Sequence, residues 1–188
     1  MNRAVFIDKD GTLVVDIPYN VDPDLITFTE GALDALRILK SNGYLLIVVS
    51  NQAGIAHGYF TKDALDNLKT RLQEMLQSDG ISLDGFFFCP HHPSARLPAY
   101  AVACNCRKPE PGMILKAAEE YNVDLTHSWM IGDILNDIEA GNRAGCKTIL
   151  INNGNETEWD FSVNRVPTAI VSNLYRAAQR IIHEPELV

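Results

Sequence analysis

Four polar stretches of this chain carry side chains suited to phosphoryl chemistry. FIDKDGTL holds Asp8 and Asp10, SNQ holds Ser50, CRKP holds Lys108, and GDILND holds Asp133. A carboxylate such as Asp8 can attack phosphorus, forming an acyl phosphate that splits one hard displacement into two easier ones. Asp10, two residues on, lies on the same side of an extended chain and can protonate a leaving oxygen, then activate water. Ser50 with nearby backbone N–H groups suits phosphoryl oxygens, Lys108 suits their charge, and Gly11 permits a tight turn behind the aspartates. Three carboxylates brought close together cannot all stay ionised without a counter-charge. A hard divalent cation with oxygen ligands, such as Mg2+, supplies one. The Asp8/Asp10 pair alone has a bland reading, because aspartates at a strand end more often cap a helix or hold water. The four stretches together, in this order, favour chemistry.

These groups need a scaffold that gathers them. Short β-rich apolar runs at 4–7, 44–49, 86–88, 129–131, 148–151 and 169–171 alternate with helical periodicity at 31–40, 61–77, 111–121, 136–144 and 173–182. In the second helix Leu65, Leu68, Leu72, Met75 and Leu76 keep one face, and Thr61 is placed to cap its start. Alternation of this kind predicts a parallel, doubly wound α/β sheet buried on both faces. Ligands of such sheets sit beyond the carboxyl ends of the strands. Asp8, then Ser50-Asn51-Gln52, then a cysteine-rich loop, then Gly132-Asp133 follow the first four strands.

That loop, CPHHPSARLPAYAVACNCRKP from 89 to 109, holds three of the four cysteines. Cys89-x-His91 and Cys104-x-Cys106 offer three sulfurs and one imidazole nitrogen, a closed tetrahedral set for structural Zn2+. The C-x-H step departs from zinc-finger spacing, so free thiols are an equal reading of the residues alone. His92 is a rival ligand that falls outside the step, Cys146 reads as a small buried hydrophobe, and His57 as a solvent-facing loop histidine. A chain of 188 residues with 46% apolar positions predicts one domain, 1–188. A net charge of −8 argues against nucleic acid as a partner. No run approaches the roughly 20 apolar residues of a membrane span, and the N-terminus lacks a signal-peptide pattern. The expectation is therefore a cytoplasmic protein with reduced thiols and, lacking a spare apolar face, a monomer.

FIDKDGTL, SNQ, RKP and GDILND in this order resemble the motif set of the haloacid dehalogenase-like phosphatases over most of the chain. More narrowly, DIPY at 16–19, SNQAGIAHGYF at 50–60, CPHHP at 89–93 and CNCRKPEPGM at 104–113 resemble the D-glycero-D-manno-heptose-1,7-bisphosphate 7-phosphatases, whose relatives include histidinol-phosphate phosphatases. The resemblance implies a Rossmann-like fold of the haloacid dehalogenase type, with a minimal cap and a zinc loop at 89–106. It implies a Mg2+-dependent hydrolase acting on the C7 phosphate of a heptose bisphosphate, in the synthesis of heptose nucleotide precursors for lipopolysaccharide or S-layer. Asp8 would be the nucleophile and Asp10 the general acid/base, with Mg2+ on Asp8, the Asp10 carbonyl and Asp133. Asp16, Tyr19, Ser50, Asn51, Gln52, Ala53, Arg107 and Lys108 would meet substrate. Cys89, His91, Cys104 and Cys106 would hold Zn2+ and so pin Arg107 and Lys108 at the rim.

Two positions depart from the family pattern. Lys9 replaces an arginine between the aspartates and is expected to point away from the site, and Ile134 stands where relatives carry a substrate-contacting lysine. Asp137 reads as a helix-start acid stabilised by the dipole, with support of the metal as the alternative. The long SARLPAYAVA segment favours a sugar bisphosphate over histidinol phosphate, and Arg107 could receive a distal phosphate. Nothing in the sequence separates the α from the β anomer. Histidinol-phosphate phosphatase, and a zinc-loop interaction module on an inactive scaffold, are the competing functions.

Overall fold

Strand β1 (Arg3–Ile7) serves two cores at once in the computed structural model, which describes residues 1–184. Val5 and Ile7 pack with helices α1 (Ala32–Ser41) and α6 (Leu174–Ile182), while Ala4 and Phe6 pack on the other face with α4 (Gly112–Glu120) and α5 (Leu135–Ala144). A strand walled on both sides has no use for polar side chains, which is why RAVFI is an unbroken apolar run after Arg3. Fully burying a side chain such as Phe6 or Leu36 stabilises by about 1.5–3 kcal/mol.

The chain steps outward from β1 to β2 (Tyr44–Asn51) and β3 (Gly85–Cys89). It then returns to the other side of β1 with β4 (Trp129–Gly132), β5 (Lys147–Ile151) and β6 (Ala169–Val171). The resulting six-stranded sheet, β3-β2-β1-β4-β5-β6, is parallel throughout. The order reverses between β1 and β4, and the carboxyl ends there form the crevice of a doubly wound fold. The expected sheet and its five helices are present.

Helix α3 (Lys62–Ser78) begins as its sequence predicts, with Thr61 Oγ1 accepting from Ala64 N at 3.2 Å, and it buries Leu65, Leu68, Leu72 and Leu76. The sequence reading lacks α2 (Ala53–His57), one turn and a half inside a glycine-bearing stretch that reads as loop. Among the described residues no helix is long and apolar enough to cross a membrane.

Candidate active site

Asp8 stands one residue beyond β1, its N–H donating to Ile131 O of β4 at 3.0 Å. Its carboxylate therefore starts from the switch point itself. Lys108 reaches it from the end of the cysteine loop: Nζ lies 2.5 Å from Asp8 Oδ1, 2.6 Å from Asp137 Oδ1, and donates to Val49 O at 3.0 Å. The lysine side chain is only 3% exposed. Burial alone would pull the ammonium down, but Asp137 and Asp8 outweigh it and hold Lys108 above its ordinary range. Burial pushes Asp8 up to about 7, with Asp137 and Asp10 adding to the rise and Lys108 opposing it.

Asp133, just past β4, completes the acidic side. Burial first, then the nearby Asp8, raises it to about 6. Thr12 Oγ1 donates to its Oδ1 at 3.2 Å and Asn155 Nδ2 to its Oδ2 at 2.6 Å. Gly11 makes this crowding possible. It adopts φ +84°, and a Cβ there would come within 2.1 Å of Asp133 Oδ2 and 2.5 Å of Asn155 Nδ2.

Oxygens of Asp8, Asp133 and Asp137 all lie within 4.8 Å of one another. Burial, and then the neighbouring carboxylates, raise all three carboxyls, so the donor set is hard, anionic and short of positive charge. It fits Mg2+. Asp8 and Asp133 would hold the ion, whereas the fully buried Asp137 is already engaged, with Oδ1 on Lys108 and Oδ2 accepting from Ile134 N at 3.2 Å. The helix-start reading of Asp137 is thus half of its role; the other half is to anchor the lysine.

Around these groups opens a cleft of about 280 Å³ lined by Asp8, Asp10, Asp16, Asn51, Lys108, Asp133, Ile134, Asp137 and Asn155. Six residues singled out from the sequence for this site are among them. The others sit elsewhere. Ser50 and Gln52 are buried beneath the floor, with Gln52 Nε2 donating to Ser50 Oγ at 2.7 Å. Ala53 opens α2 and is half-buried. Tyr19 is exposed on its loop, where its ring packs edge-on to Tyr59 with centroids 4.7 Å apart. Lys9 does not simply point away: it is buried, and its ammonium is paired with Asp10 Oδ1. Sequence reasoning did not find Thr12 or Asn155, which sit in polar turns without periodicity.

The cysteine loop closes on itself. Sγ of Cys89 lies 2.8 Å from Cys106 Sγ and 3.5 Å from Cys104 Sγ, and His91 Nδ1 lies 3.4 Å from Cys106 Sγ. All four cysteines are free. Burial raises Cys89 and Cys106, whereas at Cys104 burial is outweighed by donors including the Arg107 amide, and the thiol falls to about 7. Three thiols and one imidazole within 4.8 Å of one another fit Zn2+, and His92 lies outside the group, its Nδ1 accepting from Ser94 N at 3.1 Å. Arg107 Nη1 donates to His91 O at 3.4 Å, tying the guanidinium to the same loop.

Residues 105–177 match the family model described as HAD-hydrolase-like. The chain is 43% identical over 155 residues to the D-glycero-β-D-manno-heptose-1,7-bisphosphate 7-phosphatase of Pasteurella multocida, covering 82% of this chain and 84% of that protein. It is 38% identical over 177 residues to the protein of the same name from Salmonella typhi, covering 89% and 94% respectively. Among solved structures, the D,D-heptose 1,7-bisphosphate phosphatase of B. bronchiseptica, complexed with magnesium and phosphate, superposes with a TM-score of 0.80 at 28% identity, over 97% of this chain and 99% of that one.

Proposed function

We propose one reaction for this chain, which belongs to the haloacid dehalogenase-like hydrolases and, among them, to the heptose bisphosphate phosphatase family. The reaction is hydrolysis of the C7 phosphate of D-glycero-β-D-manno-heptose 1,7-bisphosphate. The β anomer is chosen because the relatives at 38–43% identity are named for it. The observation that carries the reading is the Asp8 carboxylate at the switch point, paired with buried Lys108 and followed two residues on by Asp10.

In the first step an Asp8 carboxylate oxygen bonds to phosphorus in line with the bond to the C7 oxygen. That bond breaks as Asp10 gives the leaving oxygen its proton. In the second, Asp10 takes a proton from water, the water oxygen bonds to phosphorus, and Asp8 is released with inorganic phosphate. Lys108 offsets charge on the transferring group throughout. Asp8, Asp133 and the Asp10 carbonyl would hold Mg2+, which would supply further positive charge for the phosphoryl oxygens and favour the ionised form of Asp8. Arg107 at the rim takes the distal phosphate. Ser50, Gln52 and Ala53 shape the floor, and Asp16, Tyr19 and Asn51 the mouth.

Zn2+ on Cys89, His91, Cys104 and Cys106 has a structural role, holding the backbone from which Arg107 and Lys108 project. The chain 1–188 acts as a single catalytic unit, a monomer working in the cytoplasm where its thiols stay reduced. The test compares kcat/KM on both heptose 1,7-bisphosphate anomers and on histidinol phosphate, with and without chelator. The β anomer should exceed histidinol phosphate, which offers Arg107 no second phosphate, by at least about 100-fold. A preference for histidinol phosphate, or activity indifferent to chelation, overturns the reading.

A further inference from the structure

Asp10 is gripped from two sides. Its Oδ1 is paired with the Lys9 ammonium and its Oδ2 accepts from Gln52 Nε2 at 3.0 Å. Both donors are buried, Lys9 at 2% and Gln52 at 5% exposure, while the Asp10 side chain keeps 31%. Lys9 lines a small void together with Asp10, Asn20, Val14, Ile26, Leu68 and Leu72. Among the described residues Asp10 is the carboxylate its ammonium meets. Burying an ammonium is costly unless a counter-charge meets it. Gln52 is fixed as firmly, its N–H on Cys89 O at 2.8 Å and its side chain also on Ser50 Oγ at 2.7 Å.

A carboxylate offers about four lone-pair directions, and here two are already taken from behind. The partly exposed Asp10 side chain also lines the cleft. We propose that Lys9 and Gln52 are positioning residues that clamp the Asp10 carboxylate in the one orientation from which it exchanges a proton with the leaving oxygen and then with water. The proposal rests on the phosphatase reading above. It gives Lys9, between the two catalytic aspartates, a task of its own, and turns Gln52 from a pocket residue into a support beneath the floor.

A clamp on a general acid has a signature that ordinary structural damage lacks. An alkoxide leaving group needs protonation; nitrophenolate does not. Lys9→Met, Lys9→Arg and Gln52→Met are compared with wild type in the first turnover on heptose 1,7-bisphosphate, on a simple alkyl phosphate and on p-nitrophenyl phosphate. Lys9→Met and Gln52→Met should each slow phosphoryl transfer from the alkyl esters at least ~10-fold more than the nitrophenol burst, within the ~100–10,000-fold that general acids contribute. Lys9→Arg, which keeps a cationic donor, should restore the wild-type ratio. Equal slowing on all three substrates, or no slowing, overturns the proposal. The two positions follow different strands, β1 and β2, so failure of one variant to fold leaves the other as the test. If the alkyl-to-aryl signature appears with the simple alkyl phosphate while wild type ignores heptose 1,7-bisphosphate, the clamp stands and the substrate reading falls.

Discussion

Asn51 holds Lys108 by its backbone: Asn51 Oδ1 accepts from Lys108 N and Asn51 Nδ2 donates to Lys108 O, both at 3.0 Å. The amide fixes where the lysine side chain begins, and Asp8 with Asp137 fixes where its ammonium ends. Removing the first constraint misplaces a charge that removing the lysine abolishes. Asn51→Ala should therefore lower kcat/KM by about 10-fold and Lys108→Met by at least about 100-fold, the usual loss for one transition-state donor. Steady-state kinetics on the heptose bisphosphate check this. A greater loss from Asn51→Ala than from Lys108→Met would mean that Asn51 touches the phosphoryl group itself.

The buried pair of Lys108 and Asp137 makes a stability prediction. Asp137→Ala leaves a buried ammonium with one fewer counter-charge and should destabilise the protein by about 3–5 kcal/mol. Adding Lys108→Met to Asp137→Ala should recover part of that loss, because the orphaned charge is gone. Urea titrations of both single variants and the double variant read the coupling. Simple additivity would show that the pair does not interact.

Asp8 and Asp133, raised to about 7 and about 6, set a pH dependence for the metal-free protein. The unfolded carboxyls titrate near ~4, so the folded state holds extra protons between roughly pH 4 and 7. Their contribution is complete below that window and is lost as pH rises through it. In chelator, the urea midpoint should therefore fall from pH 5 to pH 8, and less steeply in Asp8→Asn. Mg2+ displaces those protons, so it should restore stability most at the alkaline end. A chelated midpoint that rises with pH, or a slope unchanged by Asp8→Asn, contradicts the assignment.

Much of the site was legible because its central residues end strands. Asp8, Ser50 and Asp133 follow apolar runs whose alternation predicts a doubly wound sheet, and Arg107-Lys108 follow the last zinc-ligand candidate directly. What escaped is held by contacts without a sequence period. Asn155 reaches Asp133 from the loop after β5, Thr12 reaches it across 121 positions, and neither spacing repeats. Asp137 reads as an acid at a helix start, which is true of its Oδ2, while the ion pair of its Oδ1 with Lys108 depends on the fold bringing the cysteine loop over β4. Lys9 was expected to face away by strand alternation, but β1 ends at Ile7, and the turn beyond it brings the ammonium round to Asp10. Helix α2 was missed for another reason: in five residues, one of them glycine, helical periodicity has no room to show.

Zinc should matter to catalysis at a distance. Cys106→Ser removes a ligand adjacent to Arg107 and should bring bound zinc to background while lowering kcat/KM by about 10–100-fold, as loss of support around a metal does. Elemental analysis alongside kinetics checks both. Zinc-free protein with wild-type kinetics would separate the loop from the active site.

The central claim is that Asp8 bonds to phosphorus before water does. Turnover of a substrate whose C7 phosphoryl group is isotopically chiral, in labelled water, reads the configuration of the released phosphate. Two in-line displacements, each inverting, predict net retention. Net inversion would mean a single direct attack by water and would contradict the account.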